Sequence, residues 1–202
     1  MTLATGAYGI SSPCINGARN MVFNHDSYHD DHSRLTNQAY WSSYYQPKIY
    51  SKEHILSLGK KYDRFFDLIA QETAASNKKT VMEIGTYPAR YLAYFASKYH
   101  FQAFGLDFNE DVATMNRTLA TMGIDTGCIF REDFFSYNPS QKYDVVFSFG
   151  FIEHFKNYKE VMDRHLLYLA ENGTLMIVVP NMRKFNYIYK RVMDKNNLLV
   201  HV

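Results

Sequence analysis

The chain has 202 residues, 47% of them hydrophobic and 21% charged, with a formal net charge of +2. That balance excludes a disordered polymer and fits one domain with a sizeable core, plus a small appended segment. So slight a charge excess gives no electrostatic footprint for nucleic acid, and no apolar run approaches the roughly 18 residues of a membrane span.

Residues 1–17 are small and polar and read as a poorly ordered arm. The first thirteen have neither the basic nor the apolar region of a secretory leader. Cys14 and Cys128 are far apart and form no metal-like pair, and two thiols suit a reducing compartment. The expectation is a cytoplasmic protein. Residues 24–50 are rich in His, Asp and Tyr, carry the single tryptophan, Trp41, and lack clean periodicity. Residues 1–50 are therefore expected to form an N-terminal arm or lid, partly disordered, and residues 51–202 the folded domain. His25, His29 and His32, with Asp26, Asp30 and Asp31, have spacings that would converge on one helix face. A solvated arm is the simpler reading, and no metal site is expected. Tyr28, Tyr40, Trp41, Tyr44 and Tyr45 are candidates to fold over a pocket, since aromatic rings suit sugar faces and planar molecules equally.

From Ser51 an amphipathic helix is predicted, with Ile55, Leu58, Tyr62, Phe65 or Phe66, and Ile69 on one face. Strand and helix signals then alternate. Strands are predicted at 80–84, 101–106, 128–130, 143–150 and 174–179. Between them run helices that bury Leu92, Phe95 and Tyr99, then Val112, Met115, Leu119 and Met122 after an Asn109 cap. A further helix, capped by Asn157 with Glu160, carries Val161, His165 and Leu169 and stops near Asn172-Gly173. A last helix is expected over 183–194. This alternation predicts an α/β fold with a doubly wound, mostly parallel sheet. Right-handed crossovers then bring the C-terminal ends of the strands to one edge, where ligands bind at the topological switch point.

Three acids fall at successive strand ends on that edge. Glu83 precedes the turn Gly85-Thr86-Tyr87-Pro88-Ala89-Arg90, where backbone can approach a ligand at a helix N-terminus. An unpaired charge there would be costly, and an amine-bearing ligand or a set of N–H groups would relieve it. Asp107, followed by Phe108, can accept hydrogen bonds from a ribose diol or can start the next helix. Asp133, with Phe134 beside it, can accept from an adenine amino group or mark a loop turn.

The ordered set Val81-Met82-Glu83-Ile84-Gly85, Gly105-Leu106-Asp107, Glu132-Asp133-Phe134 and Tyr143-Asp144-Val145-Val146-Phe147-Ser148 resembles the class I S-adenosylmethionine-dependent methyltransferases. Gly150-Phe151-Ile152-Glu153-His154-Phe155 and Asn172-Gly173-Thr174-Leu175 add to the likeness, which covers roughly residues 50 to 195. The resemblance implies S-adenosylmethionine as cofactor and a Rossmann-like fold. It implies Glu83, Gly85, Thr86, Tyr87, Pro88 and Arg90 around the methionine moiety, with Asp107 and Phe108 at the ribose. It implies Asp133 and Phe134 at adenine, and Phe149 and Gly150 near the sulfonium.

Two features depart from the family. Its glycine-rich turn has glycine where Tyr87 and Ala89 stand, so Tyr87 is read as a lid over the cofactor or as packing against the first helix. Two further strands normally complete the sheet, and only 23 residues follow Val179. Either the chain is a truncated version, or a second subunit or the N-terminal segment covers the open C-terminal edge. An uncovered edge favours self-association, so a homodimer is expected.

Glu153 and His154 lie just beyond the fourth strand. His154 is the candidate general base toward a small-molecule or saccharide acceptor, its alternative role being a hydrogen bond to backbone or a cap. Two other classes share parts of this pattern. A nicotinamide-dependent oxidoreductase lacks support because G-x-G-x-x-G would fall on Gly85, Tyr87 and Arg90. A non-catalytic S-adenosylmethionine-binding or scaffold protein is the runner-up, given the altered turn.

Overall fold

The computed structural model describes residues 34–36, 40, 41, 44, 50–74, 79–125 and 127–181. Ser51 accepts the amide of His54 and caps α1 (Lys52–Gly59). The single helix expected here is two, because a 3-10 turn at Lys60–Tyr62 separates α1 from α2 (Asp63–Glu72). Asp63 opens α2 against α3 (Arg90–Tyr99), taking the Tyr94 hydroxyl at 2.5 Å and the Lys98 ammonium at 2.8 Å. The break re-phases the side chains: Ile55, Phe66 and Ile69 are buried, whereas Phe65 is 55% exposed.

The strands are β1 (Thr80–Ile84), β2 (Gln102–Asp107), β3 (Cys128–Arg131), β4 (Tyr143–Phe149) and β5 (Leu169–Val178). All pair in parallel, in the order β3-β2-β1-β4-β5. Every residue of β1 is buried, as an apolar run covered on both faces requires. One face packs Val81, Ala103, Val145 and Phe147 against Phe66, Leu92 and Phe95 from the helices. The other packs Met82, Phe104 and Val146 with Val161 and Tyr168.

The chain winds outward from β1 to β2 and β3, then returns to place β4 on the far side of β1. The two connections leaving β1 and β4 therefore diverge, and a crevice opens between them. Glu83 sits opposite Phe147 in that pairing, with Gly85 and Gly150 just past the two strand ends.

Two expectations about boundaries are corrected. The helix α4 (Val112–Thr121) is capped by Asp111, whose carboxylate accepts the Thr114 amide at 3.0 Å, and not by Asn109. Asn109 instead accepts the Asp111 amide at 2.9 Å and shapes the approach to the cap. Asn157 does cap α5 (Tyr158–Leu166), but that helix ends at Leu166 rather than near Asn172-Gly173. The Tyr168 carbonyl already accepts the Tyr143 amide, and Leu169 pairs with Tyr143. The sheet thus recruits this stretch before the helix can continue. Asn172, at φ 59°, lies in an irregularity of β5, where the register passes from Tyr143–Leu169 to Val145–Thr174. The Asn-Gly signal marks a bulge, not a helix end.

Buried Cys128 is disulfide-bonded, so it is not the free thiol expected from the sequence. Cys14, the His/Asp cluster at 25–32, Tyr28, Tyr45, the helix expected over 183–194 and the chain end lie outside the described residues. Among those described, β5 is an outer strand. Beside it, α5 leaves Tyr158, Met162 and Leu166 exposed at successive intervals of four.

Candidate active site

The turn after β1 is built around a buried acid. Glu83 Oε2 accepts the Thr86 hydroxyl at 2.7 Å and the Leu92 amide, in the first turn of α3, at 3.2 Å. Burial outweighs these bonds and pushes the Glu83 carboxyl up to about 8, so it holds its proton at neutral pH. The turn has two left-handed residues, Gly85 at φ 68° and Ala89 at φ 70°. A Cβ at Gly85 would lie 2.6 Å from the Phe151 ring, so the space that glycine leaves is taken by Phe151. Thr86 in turn sits in a notch on β2, where a Cβ at Gly105 would meet it at 2.7 Å.

Tyr87 is buried in the same core cluster as Leu92 and Phe95 of α3, and its polar atoms join neighbouring loops. Its hydroxyl donates to Asp111 at 3.1 Å, tying the turn to the cap of α4. Its amide donates to Asp107 Oδ2 at 2.8 Å, while Asp107 Oδ1 accepts the Asn109 amide at 2.8 Å. Asp107 thus organises the two loops that flank it, and burial raises its carboxyl to about 6. Asp133 holds its own turn in the same way, accepting the Phe135 amide at 2.8 Å and the Ser136 amide at 3.3 Å through Oδ1. The Arg34 guanidinium pairs with its Oδ2.

One cavity, about 930 Å³ including its open mouth, joins these groups. Glu83, Gly85, Thr86, Tyr87, Pro88 and Arg90 line it, as do Asp107, Phe108, Asp133, Phe134, Phe149 and Gly150. The sequence-derived set is therefore brought to one wall. Arg90 has its guanidinium carbon 4.8 Å from the Tyr50 ring centre, and its Nε is buried with no hydrogen-bond partner among the described residues.

The far end is aromatic. Tyr91 stacks on Phe149 at 3.9 Å and 11°, and Tyr62 meets Phe149 edge-on at 4.9 Å. His154 lines the cavity, is buried, and stands perpendicular to Trp41 at 4.7 Å. Glu153 does not line the cavity; it is buried, with Oε1 3.4 Å from where a Cβ of Gly150 would be. Trp41 also lines the cavity and donates to Thr36 at 3.1 Å, whereas Tyr44 is exposed. Sequence reasoning missed Arg34, Thr36, Tyr91, Phe151 and Phe155, all on the cavity wall. The apolar run through Phe155 carried a usable signal, but Arg34 in its aperiodic segment carried none.

The profile of a family described as a methyltransferase domain matches residues 53–198, well over half of the chain. The chain belongs to the methyltransferase-domain family. No curated protein sequence matches this methyltransferase-domain chain. Among solved structures it is similar to an assigned methyltransferase from Bacillus halodurans C-125, at 17% identity and a TM-score of 0.54. That alignment covers 67% of this chain and 61% of the other. It is also similar to the plantazolicin methyltransferase BpumL, solved with a monoazolic desmethylPZN analog and S-adenosylhomocysteine. There the identity is 19%, the coverage 74% and 61%, and the TM-score 0.52. At such identities the likeness is one of fold. The chain spans less than two thirds of the length of either structure, and 47% of a SAM-dependent methyltransferase from Thiobacillus denitrificans.

Proposed function

We propose that the protein is an S-adenosylmethionine-dependent methyltransferase acting on a small-molecule or saccharide acceptor. The observation that carries this reading is the meeting of Glu83, Asp107 and Asp133, from three successive strand ends, at one cavity. The residues present suit an adenosyl amino acid. Glu83 is a buried acid whose charge a ligand ammonium would stabilise, and Arg90 has a buried donor to offer a carboxylate. Asp107 keeps lone pairs for a ribose diol, and Phe108 and Phe134 offer apolar surface near Asp133. When bound, S-adenosylmethionine supplies an electrophilic methyl group on a sulfonium.

The protein's own work is to orient the acceptor and exclude water. His154 is the group that would take a proton from an acceptor hydroxyl, at a ring nitrogen. Glu153, next to it and buried, supports the loop that presents it. Trp41, Phe151 and Phe155 wall this end, and rings of this kind suit a planar molecule or a sugar face. We also propose a homodimer, formed over the outer strand β5 and the exposed stripe of α5. Light scattering that finds a monomer at micromolar concentration would remove that part.

Titration calorimetry with S-adenosylhomocysteine and NADH tests the central reading. Micromolar binding of the first and none of the second is expected, and the reverse would overturn it. Binding without transfer of a labelled methyl group to any acceptor in a panel would favour the scaffold alternative.

A further inference from the structure

Both oxygens of Asp133 are engaged by the protein itself. Two backbone amides hold Oδ1, and Arg34 Nη2 holds Oδ2 from 99 residues away. The Arg34 guanidinium carbon lies 6.0 Å from the ring centre of Phe108, 5.5 Å from that of Phe135 and 5.9 Å from that of Phe155. Backbone contacts fix its approach. Arg34 forms an antiparallel bridge with Phe155, and the Leu35 amide donates to the His154 carbonyl at 2.8 Å. Arg34 also lines the cavity together with Asp107, Phe108 and Asp133.

A guanidinium is flat, stacks on aromatic faces and donates in its own plane to a carboxylate. An adenine ring with its exocyclic amino group has the same three properties. Arg34 therefore makes with Phe108 and Asp133 the contacts that the base would make. We infer that Arg34 is a built-in competitor for the adenine end of the cavity and sets the affinity for adenosyl ligands. This inference rests on the cofactor reading above. The base gains Asp133 Oδ2 only by displacing a half-buried ion pair that three rings support, so each binding event is weakened by what that displacement costs. A pair serving only to hold the arm would leave ligand affinity unchanged. A guanidinium that stayed and stacked on the base would raise it.

Calorimetry on the whole protein separates these cases. Arg34→Ala and Arg34→Gln, the second keeping a polar stem without charge, should bind S-adenosylhomocysteine about tenfold more tightly than the native protein. Arg34→Lys, which keeps the charge but not the flat fork, should fall between the native protein and these two variants. Free adenosine should gain by the same factor, because the competition is at the base. Native binding of adenosine, which carries no charge, should tighten as salt rises from about 50 to 500 mM, and its gap between native and Arg34→Gln should narrow. Thermal unfolding establishes that each variant is folded. Equal or weaker binding by both Arg34→Ala and Arg34→Gln overturns the inference while leaving the cofactor reading intact. Absence of adenosyl binding in the native protein and in all variants overturns both.

Discussion

Thr86 donates its hydroxyl to Glu83 at 2.7 Å, and this bond closes the turn between β1 and α3 upon the last buried acid of the central strand. Thr86→Val keeps the shape that fits the Gly105 notch and deletes the donor. A buried carboxyl left with one fewer partner should cost about 1–3 kcal/mol of stability. Urea denaturation at pH 7 would measure it, and an unchanged midpoint would show the bond to be of no consequence.

The raised carboxyl of Glu83 makes a signed claim about pH. Between its ordinary value of 4.5 and about 8, the native protein keeps a proton that the unfolded chain has released. Stability should therefore fall as pH rises through that window and level off above it. Glu83→Gln should flatten the slope from pH 6 to 8, leaving below pH 6 the part that Asp107, raised to about 6, contributes in the same direction. Buried His165 acts oppositely: burial lowers its value, so stability should decline as pH drops below 6.5. Denaturation midpoints taken at intervals from pH 5 to 9, for the native protein and Glu83→Gln, would reveal both trends.

Ligand binding should be linked to the same proton. An ammonium near Glu83 favours its charged form, so binding below pH 8 should release a proton. Affinity for S-adenosylhomocysteine should then rise by up to about tenfold per pH unit until the plateau near 8. Calorimetry in two buffers of different ionisation enthalpy counts the proton, and Glu83→Gln should abolish the release.

Gly85→Ala should be poorly tolerated for two reasons that add. The left-handed φ of 68° disfavours any side chain, and the new methyl would lie 2.6 Å from Phe151. Together these should cost about 2–4 kcal/mol. Combining it with Phe151→Leu should recover the steric part only, and chemical denaturation of the two variants would show the difference.

Arg90 offers a test at the other end of the ligand. Arg90→Ala should weaken S-adenosylhomocysteine binding by at least about tenfold, because a charge-assisted contact to its carboxylate is lost. Adenosine, which lacks the amino acid, should bind as before. Equal losses for both ligands would mean that Arg90 shapes the cavity without touching the carboxylate.

Much of this architecture is legible in the sequence because β1 and β4 are covered on both faces and so appear as nearly unbroken apolar runs. The candidate acids are legible for a topological reason: parallel strands deliver their last residues to one edge, wherever they lie in the chain. Local signals misled where the sheet overrode them. Asn172-Gly173 is a sound helix terminator, yet β5 had already claimed Leu169 for pairing with Tyr143. Arg34 was not legible because its meaning lies in a partner on another loop, and no periodicity connects the two. Phe151 stood in a recognised stretch, but only three dimensions show its ring filling the space beside Gly85.

Gly105 has no part in the cavity wall, yet it governs how high the turn after β1 rides above the sheet. Two levers act on that loop: its own side chains decide what it presents to a visitor, and the floor beneath decides where it stands. A methyl group added on β2 would lift Thr86 and carry Glu83's partner with it. The grip on a ligand can thus be retuned from a strand position that never meets one.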